Sequence, residues 1–127
     1  MTKAKTMPST ITCERGQVVV VHVVFSDGSG SKPRPVLVVS TELFHESLPD
    51  VLVCPISSQP RFYQHPGQGD YPLRQWEKAG LRHPSTVRIS KLLAIDKRVI
   101  KRTLSEIDRE DLAAIDRSLL HALGLNR

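Results

Sequence analysis

Three aliphatic runs set the frame of this chain: V-V-V-V-H-V-V-F from Val18 to Phe25, V-L-V-V-S from Val36 to Ser40, and V-L-V-C-P-I from Val51 to Ile56. Each has strand length, is rich in β-branched residues and lacks clean alternation, which is the pattern of a strand covered on both faces. Pro35 and Pro55 fall near strand ends, where a missing N–H is tolerable. Between the second and third runs, T-E-L-F-H-E-S is short and precedes Pro49, which predicts a single helical turn.

Beyond Ser58 the pattern changes. Ser58 to Gly69 is Gln, Pro, Gly, His and aromatic residues, predicting a long surface loop. Strands are expected at Tyr71 to Gln75, Thr86 to Ser90 and Val99 to Leu104, with a turn around Lys78 to Gly80. Ser105 is expected to open a terminal helix through S-x-x-D. Glu106, Asp108, Glu110 and Asp111 complement its positive end, and Gly124 supplies the left-handed stop. Leu112, Ile115, Leu119 and Leu123 share one helical face, predicted to pack on the strands. The fold class is therefore mainly β with a C-terminal helix: five or six short strands forming a small, strongly curved, barrel-like sheet. Residues 1–14 lack either period and are read as a flexible tail, and residues 15–127 as one domain.

Composition adds limits. A chain of 127 residues can bury a single sizeable core. Cys13 and Cys54 have neither C-x-x-C spacing nor a histidine partner, so no metal site, disulfide framework or cofactor is expected, and a cytoplasmic location is the default. The longest apolar run is far below the roughly 20 residues of a membrane helix, and the first ten residues lack the apolar segment of a secretion signal. The net charge is +5, with the surplus lying mostly between Arg61 and Lys91. An uneven basic surface suits an anionic partner, although a merely solubilising surface has the same composition.

Candidate chemistry starts in F-S-D-G-S-G-S-K-P-R-P, Phe25 to Pro35. Glycines, lysine and hydroxyls in this order suggest a phosphate-cradling loop, but Lys32 is followed by Pro33, and Pro35 leads into a strand. The N–H donors such a loop needs are missing. The alternative is that Gly28 and Gly30 reverse the chain while Pro33 and Pro35 hold Arg34 as a preorganised anion ligand at a strand entrance.

R-G-Q-V-V-V-V-H-V-V-F-S-D-G-S-G-S-K-P-R-P-V-L-V-V-S, then D-V-L-V-C-P-I-S-S-Q, G-L-R-H-P-S-T-V-R-I-S-K-L and the closing S-E-I-D-R-E-D-L-A-A-I-D resemble the MazF/PemK toxins of bacterial toxin–antitoxin pairs, from about Arg15 to Leu125. The resemblance implies an SH3-like barrel, a homodimer and metal-independent cleavage of single-stranded RNA, blocked by a cognate antitoxin with an acidic tail. Cleavage through the substrate's own 2′-OH needs a proton acceptor, a stabiliser of the phosphorane and a donor to the leaving oxygen. By the resemblance, Arg34 stabilises the phosphorane. Ser57, where the family commonly has threonine, contributes a hydroxyl. Arg88 is a second phosphate ligand, with Ser90 where some members carry an aspartate. Gln17 replaces a frequent acidic residue. His65 and His83 are possible replacements for the proton acceptor. Lys32, Ser58, Gln59, Arg61, Tyr63 and Lys91 are expected to bind RNA, with Phe62 and Trp76 supplying stacking surface or packing their own surroundings. The competing reading is a barrel that has lost catalysis and serves to bind RNA or sequester an antitoxin. A third is inhibition of a DNA-handling enzyme, since gyrase-poisoning toxins share the fold.

Overall fold

A computed structural model describes residues 13–24, 28 and 30–125 of the chain. The expected tail up to Thr12, and Phe25, Ser26, Asp27 and Ser29 of the glycine-containing connection, lie outside the described residues. Cys13 and Glu14, assigned to the tail, are tied to the folded body: the Cys13 carbonyl faces His45 Nδ1 at 2.7 Å, and Glu14 N–H donates to Gln17 Oε1 at 2.9 Å.

The elements are β1 (Gln17–Val24), β2 (Ser31–Val38), α1 (Glu42–Ser47), β3 (Asp50–Ser57), α2 (Pro60–Gln64), β4 (Asp70–Pro72), β5 (Thr86–Arg88), β6 (Leu93–Asp96), β7 (Ile100–Glu106) and α3 (Arg109–Ala122). The antiparallel path runs β4-β5-β3-β2-β1-β7, with β6 also on β3. The sheet is curved and mainly antiparallel as expected, and no ladder that would close it as a barrel joins β7 to β4 among the described residues. Two register shifts between β1 and β7 help to bend it. β3 forks: Asp50 to Val53 pair with β6, whereas Ile56 and Ser57 pair with β5.

Both faces are covered along the apolar runs of β1, β2 and β3, as those runs predict, whereas the first four residues of β2 are exposed. Val18, Leu37, Cys54 and Ile56 join Val87, Ile89, Ile107 and α3's Ile115 in one core. Val19, Val21, Val36, Val38, Val51, Val53 and Ile100 form a second on the opposite face. Burial pushes the Cys54 thiol up to about 11, so it behaves as a small hydrophobe rather than a nucleophile.

The expected elements need five corrections. The terminal helix begins at Arg109, not Ser105: Ser105 is in β7, its Oγ donates to the Lys78 carbonyl at 2.9 Å, and Asp108 is the N-cap, accepting from Glu110 N–H at 3.0 Å. Leu123 lies beyond that helix and is exposed. The Ser58–Gly69 segment contains α2, with Pro60 at its first turn, where no N–H is needed. β4 ends at Pro72, and the chain then turns under Asp111, whose fully buried carboxylate accepts from Tyr71 Oη at 2.6 Å, Arg74 N–H at 3.1 Å and Gln75 N–H at 3.0 Å. Finally, β6 is an additional strand, unpredicted because L-A-I-D is too short to show a period.

Gly16 joins these layers. Its N–H donates to the Val38 carbonyl at 2.8 Å, and its carbonyl accepts from Ile107 N–H at 2.8 Å. A Cβ there would meet Leu112 at 3.3 Å, at a positive φ of +94°. Beside it Arg15 donates to the Val39 carbonyl at 3.1 Å and pairs with Asp116 of α3. The R-G pair thus clamps the helix to the sheet.

Candidate functional site: a cleft where β2 and β3 part

β1 pairs along β2 from Ser31 to Leu37, whereas β3 pairs with β2 only across Val36 to Val38. Pro33 and Pro35 fit this arrangement because their missing donors face the edge that β3 leaves uncovered. The sequence predicts Arg34 at the entrance to a strand that begins at Val36. It stands instead within β2, opposite Val21, with the two prolines opposite His22 and Val20. Gly28 and Gly30 precede it at positive φ, +78° and +127°.

Strand alternation then builds the site. Arg34 is two residues before Val36, and Ser57 two after Pro55, the partner of Val36. Both therefore prolong the face of the second core, as its polar end. They line one cleft of ≈ 500 Å³ with Ser58 and Gln59, over a floor that includes Val21, Val36, Val53 and Ile95. Ser57 Oγ accepts from Gln59 N–H at 3.2 Å, which orients the hydroxyl without the methyl of a threonine. Leu93 and Val99 border the cleft and are 43% and 38% exposed. A second, smaller cleft of ≈ 180 Å³ shares Arg34 and Ser58 with it and is lined also by Arg82, His83 and Ser85.

The remaining sequence-predicted residues lie elsewhere. Arg88 lines neither cleft. Its Nε donates to Asp70 Oδ1 at 2.6 Å, and its guanidinium lies 3.8 Å from the centre of the Phe62 ring. Arg61 approaches the same ring at 4.7 Å. Asp70, absent from the sequence reading, also accepts from Gly67 N–H at 3.0 Å, so it fixes both the arginine and the turn after α2. Arg61 is exposed and Tyr63 half-buried on α2, Lys32 is exposed two residues before Arg34, and Lys91 is exposed at the end of the short 3-10 turn Ile89–Lys91. None of these four lines the Arg34 cleft.

The noted departures separate in space. Gln17 is buried, and its side chain accepts from Glu14 N–H. Ser90 lines a different groove, with Tyr71, Arg117 and His121 against α3. His65 caps the end of α2 through its backbone. Trp76 packs against the first core, as the packing alternative anticipated. His22, unremarked in the sequence, borders the larger cleft, but the ladder sets it on the opposite face from Arg34. Among the described residues, no three His, Cys, Asp or Glu side chains gather as a metal site, and no helix is long and apolar enough to cross a membrane.

A curved antiparallel sheet with a closing helix thus carries an arginine and a hydroxyl where two strands part, and comparison with known proteins shows which family the chain belongs to. Residues 14–123 match the family described as PemK-like, MazF-like toxin of type II toxin–antitoxin systems. The chain belongs to that family. No curated protein matches it by sequence. Among solved structures it is similar to a mycobacterial endoribonuclease in complex with its cognate antitoxin, at 21% identity and a TM-score of 0.71, covering 91% of this chain and 99% of that one. It is also similar to MazE–MazF from Deinococcus radiodurans, at 21% identity and 0.70 over 89% and 97% of the two chains. A third is the Mycobacterium tuberculosis toxin MazF-mt6, at 22% and 0.68 over 87% and 99%. At these identities the likeness establishes the fold.

Proposed function

We propose that this chain is an endoribonuclease toxin that cuts single-stranded RNA by attack of the substrate's own 2′-OH, leaving a 2′,3′-cyclic phosphate and a 5′-OH, and is neutralised by a cognate antitoxin. The observation that carries the reading is the convergence of Arg34 and Ser57 on one cleft in a chain of this toxin family. Similar solved structures described as endoribonucleases, one with its antitoxin bound, support it. Arg34 offers a planar fork of donors to the phosphorane oxygens, and its guanidinium stabilises charge rather than accepting a proton. Ser57 and Gln59 supply further donors at the same strand end. Arg88, engaged by Asp70 and Phe62, acts at one remove by holding α2, where Arg61 and Tyr63 contact RNA outside the cleft. The exposed Leu93 and Val99 at the border suit coverage by a second copy of the chain or by antitoxin.

Reading the chain as a binder without catalysis loses two supports, because Gln17 and Ser90 stand apart from the Arg34 cleft. The experiment that separates the readings is single-turnover cleavage of a long single-stranded RNA in chelator. Discrete fragments with 5′-OH ends are expected, and Arg34→Ala should slow their release by about 10²-fold or more, the scale of one lost transition-state donor. Saturable binding without fragments would establish the binder instead.

A further inference from the structure

We infer that His83 is the proton acceptor for the 2′-OH, a deepening that rests on the endoribonuclease reading above. The chemistry needs a group that takes a proton near neutral pH, and the described residues that line the cleft of Arg34 and its smaller neighbour offer candidates. Among the described residues, the charged and titratable side chains that line the two neighbouring clefts are Arg34 from β2, His22 from β1, and Arg82 and His83 from the turn before β5; no carboxylate of those residues lines either one. A guanidinium does not give up its proton at such pH, and the serine hydroxyls are poor acceptors. His22 is on the face of β1 opposite to Arg34, and His65 borders neither cleft.

His83 is differently placed. It lines the smaller cleft together with Arg34 and Ser58, so a phosphate held by Arg34 brings its neighbouring ribose towards the imidazole. Its backbone is fixed: Ser85 Oγ donates to the His83 carbonyl at 2.8 Å, and one residue later Thr86 pairs with Ser57 in the β3–β5 ladder. The turn that carries the histidine is thereby indexed to the strand end that carries Ser57. Its ring is exposed and has no hydrogen-bond partner among the described residues. In the reaction, the 2′ proton passes to a ring nitrogen of His83 and the 2′-oxygen bonds to phosphorus. The bond from phosphorus to the 5′-oxygen breaks, and that oxygen takes a proton from solvent.

The test is the pH dependence of single-turnover cleavage by the full chain, with RNA binding measured alongside. Wild type should show an acidic limb in which the rate climbs as one imidazole loses its proton. His83→Ala should lower the rate by about 10²-fold or more and lose that limb while binding RNA as before, and added imidazole should restore part of the rate. His83→Gln, which keeps polarity without basicity, should behave like the alanine variant, and His65→Ala should cut normally. Cleavage by His83→Ala at the parental rate with an unaltered limb overturns the assignment and leaves the nuclease reading intact. Absence of any cleavage by wild type overturns both.

Discussion

Asp111 and Tyr71 show how a residue fixes more than its own position. The Asp111 carboxylate has no exposed surface and gathers a phenol and two backbone donors, which brings β4 and the following turn against the start of α3. Burial first, and then the hydrogen bond to that carboxylate, push the Tyr71 hydroxyl up to about 12 from an ordinary value near 10. Because the folded value is the raised one, the stabilisation is fully present below pH 10 and is lost as pH rises through 12. Tyr71→Phe should therefore be less stable than wild type in urea titrations at pH 8 to 9, with the gap narrowing between pH 10 and 12. A gap that persists unchanged at pH 12 would mean that the phenol proton contributes nothing. Arg34 was legible at this scale because two flanking prolines mark it in sequence. Asp70 was not, since a lone aspartate after glycine reads as a turn residue, and only the fold brings Arg88 to it.

Among the elements, α2 is a short helix with no periodic signal in its sequence, and its stability comes from outside. Five residues are too few to hold a helix alone. The segment is secured by Phe62 against Arg88, which is anchored on β5 and paired with Asp70, a side chain only 7% exposed. Removing the arginine strands that carboxylate. Arg88→Ala should cost about 3 kcal/mol, the scale for breaking a largely buried pair, and should speed amide exchange through residues 60–70. Arg88→Lys should recover part of the stability but less of the protection, because an ammonium cannot stack flat on the ring. Exchange that stays slow in the alanine variant would show that α2 is secured by other packing. The three long strands were readable because residues covered on both faces leave unbroken apolar runs. β6 and the true start of α3 were hidden because four-residue strands have no measurable period, and a cap at Asp108 looks much like one at Ser105.

For the whole molecule, two cores on opposite faces of one sheet divide the labour. The first, with α3, holds the fold together; the second is left partly uncovered beside Leu93 and Val99, and its polar end is the Arg34 cleft. A cationic site of this kind attracts any extended polyanion, so RNA and an acidic antitoxin segment are expected to exclude one another. In fluorescence anisotropy with labelled RNA, an acidic peptide from the antitoxin should raise the apparent Kd in proportion to its concentration. Simultaneous binding of both would place the antitoxin elsewhere.

Pro33 and Pro35 carry a last consequence. A strand margin with its donors in place invites any unfolded stretch of polypeptide to zip alongside it. Along this one, two successive outward positions offer only carbonyl oxygens. A visitor must therefore be gripped by side chains, which keeps the gap open to a nucleotide chain and discourages other proteins from sealing it with a backbone ladder.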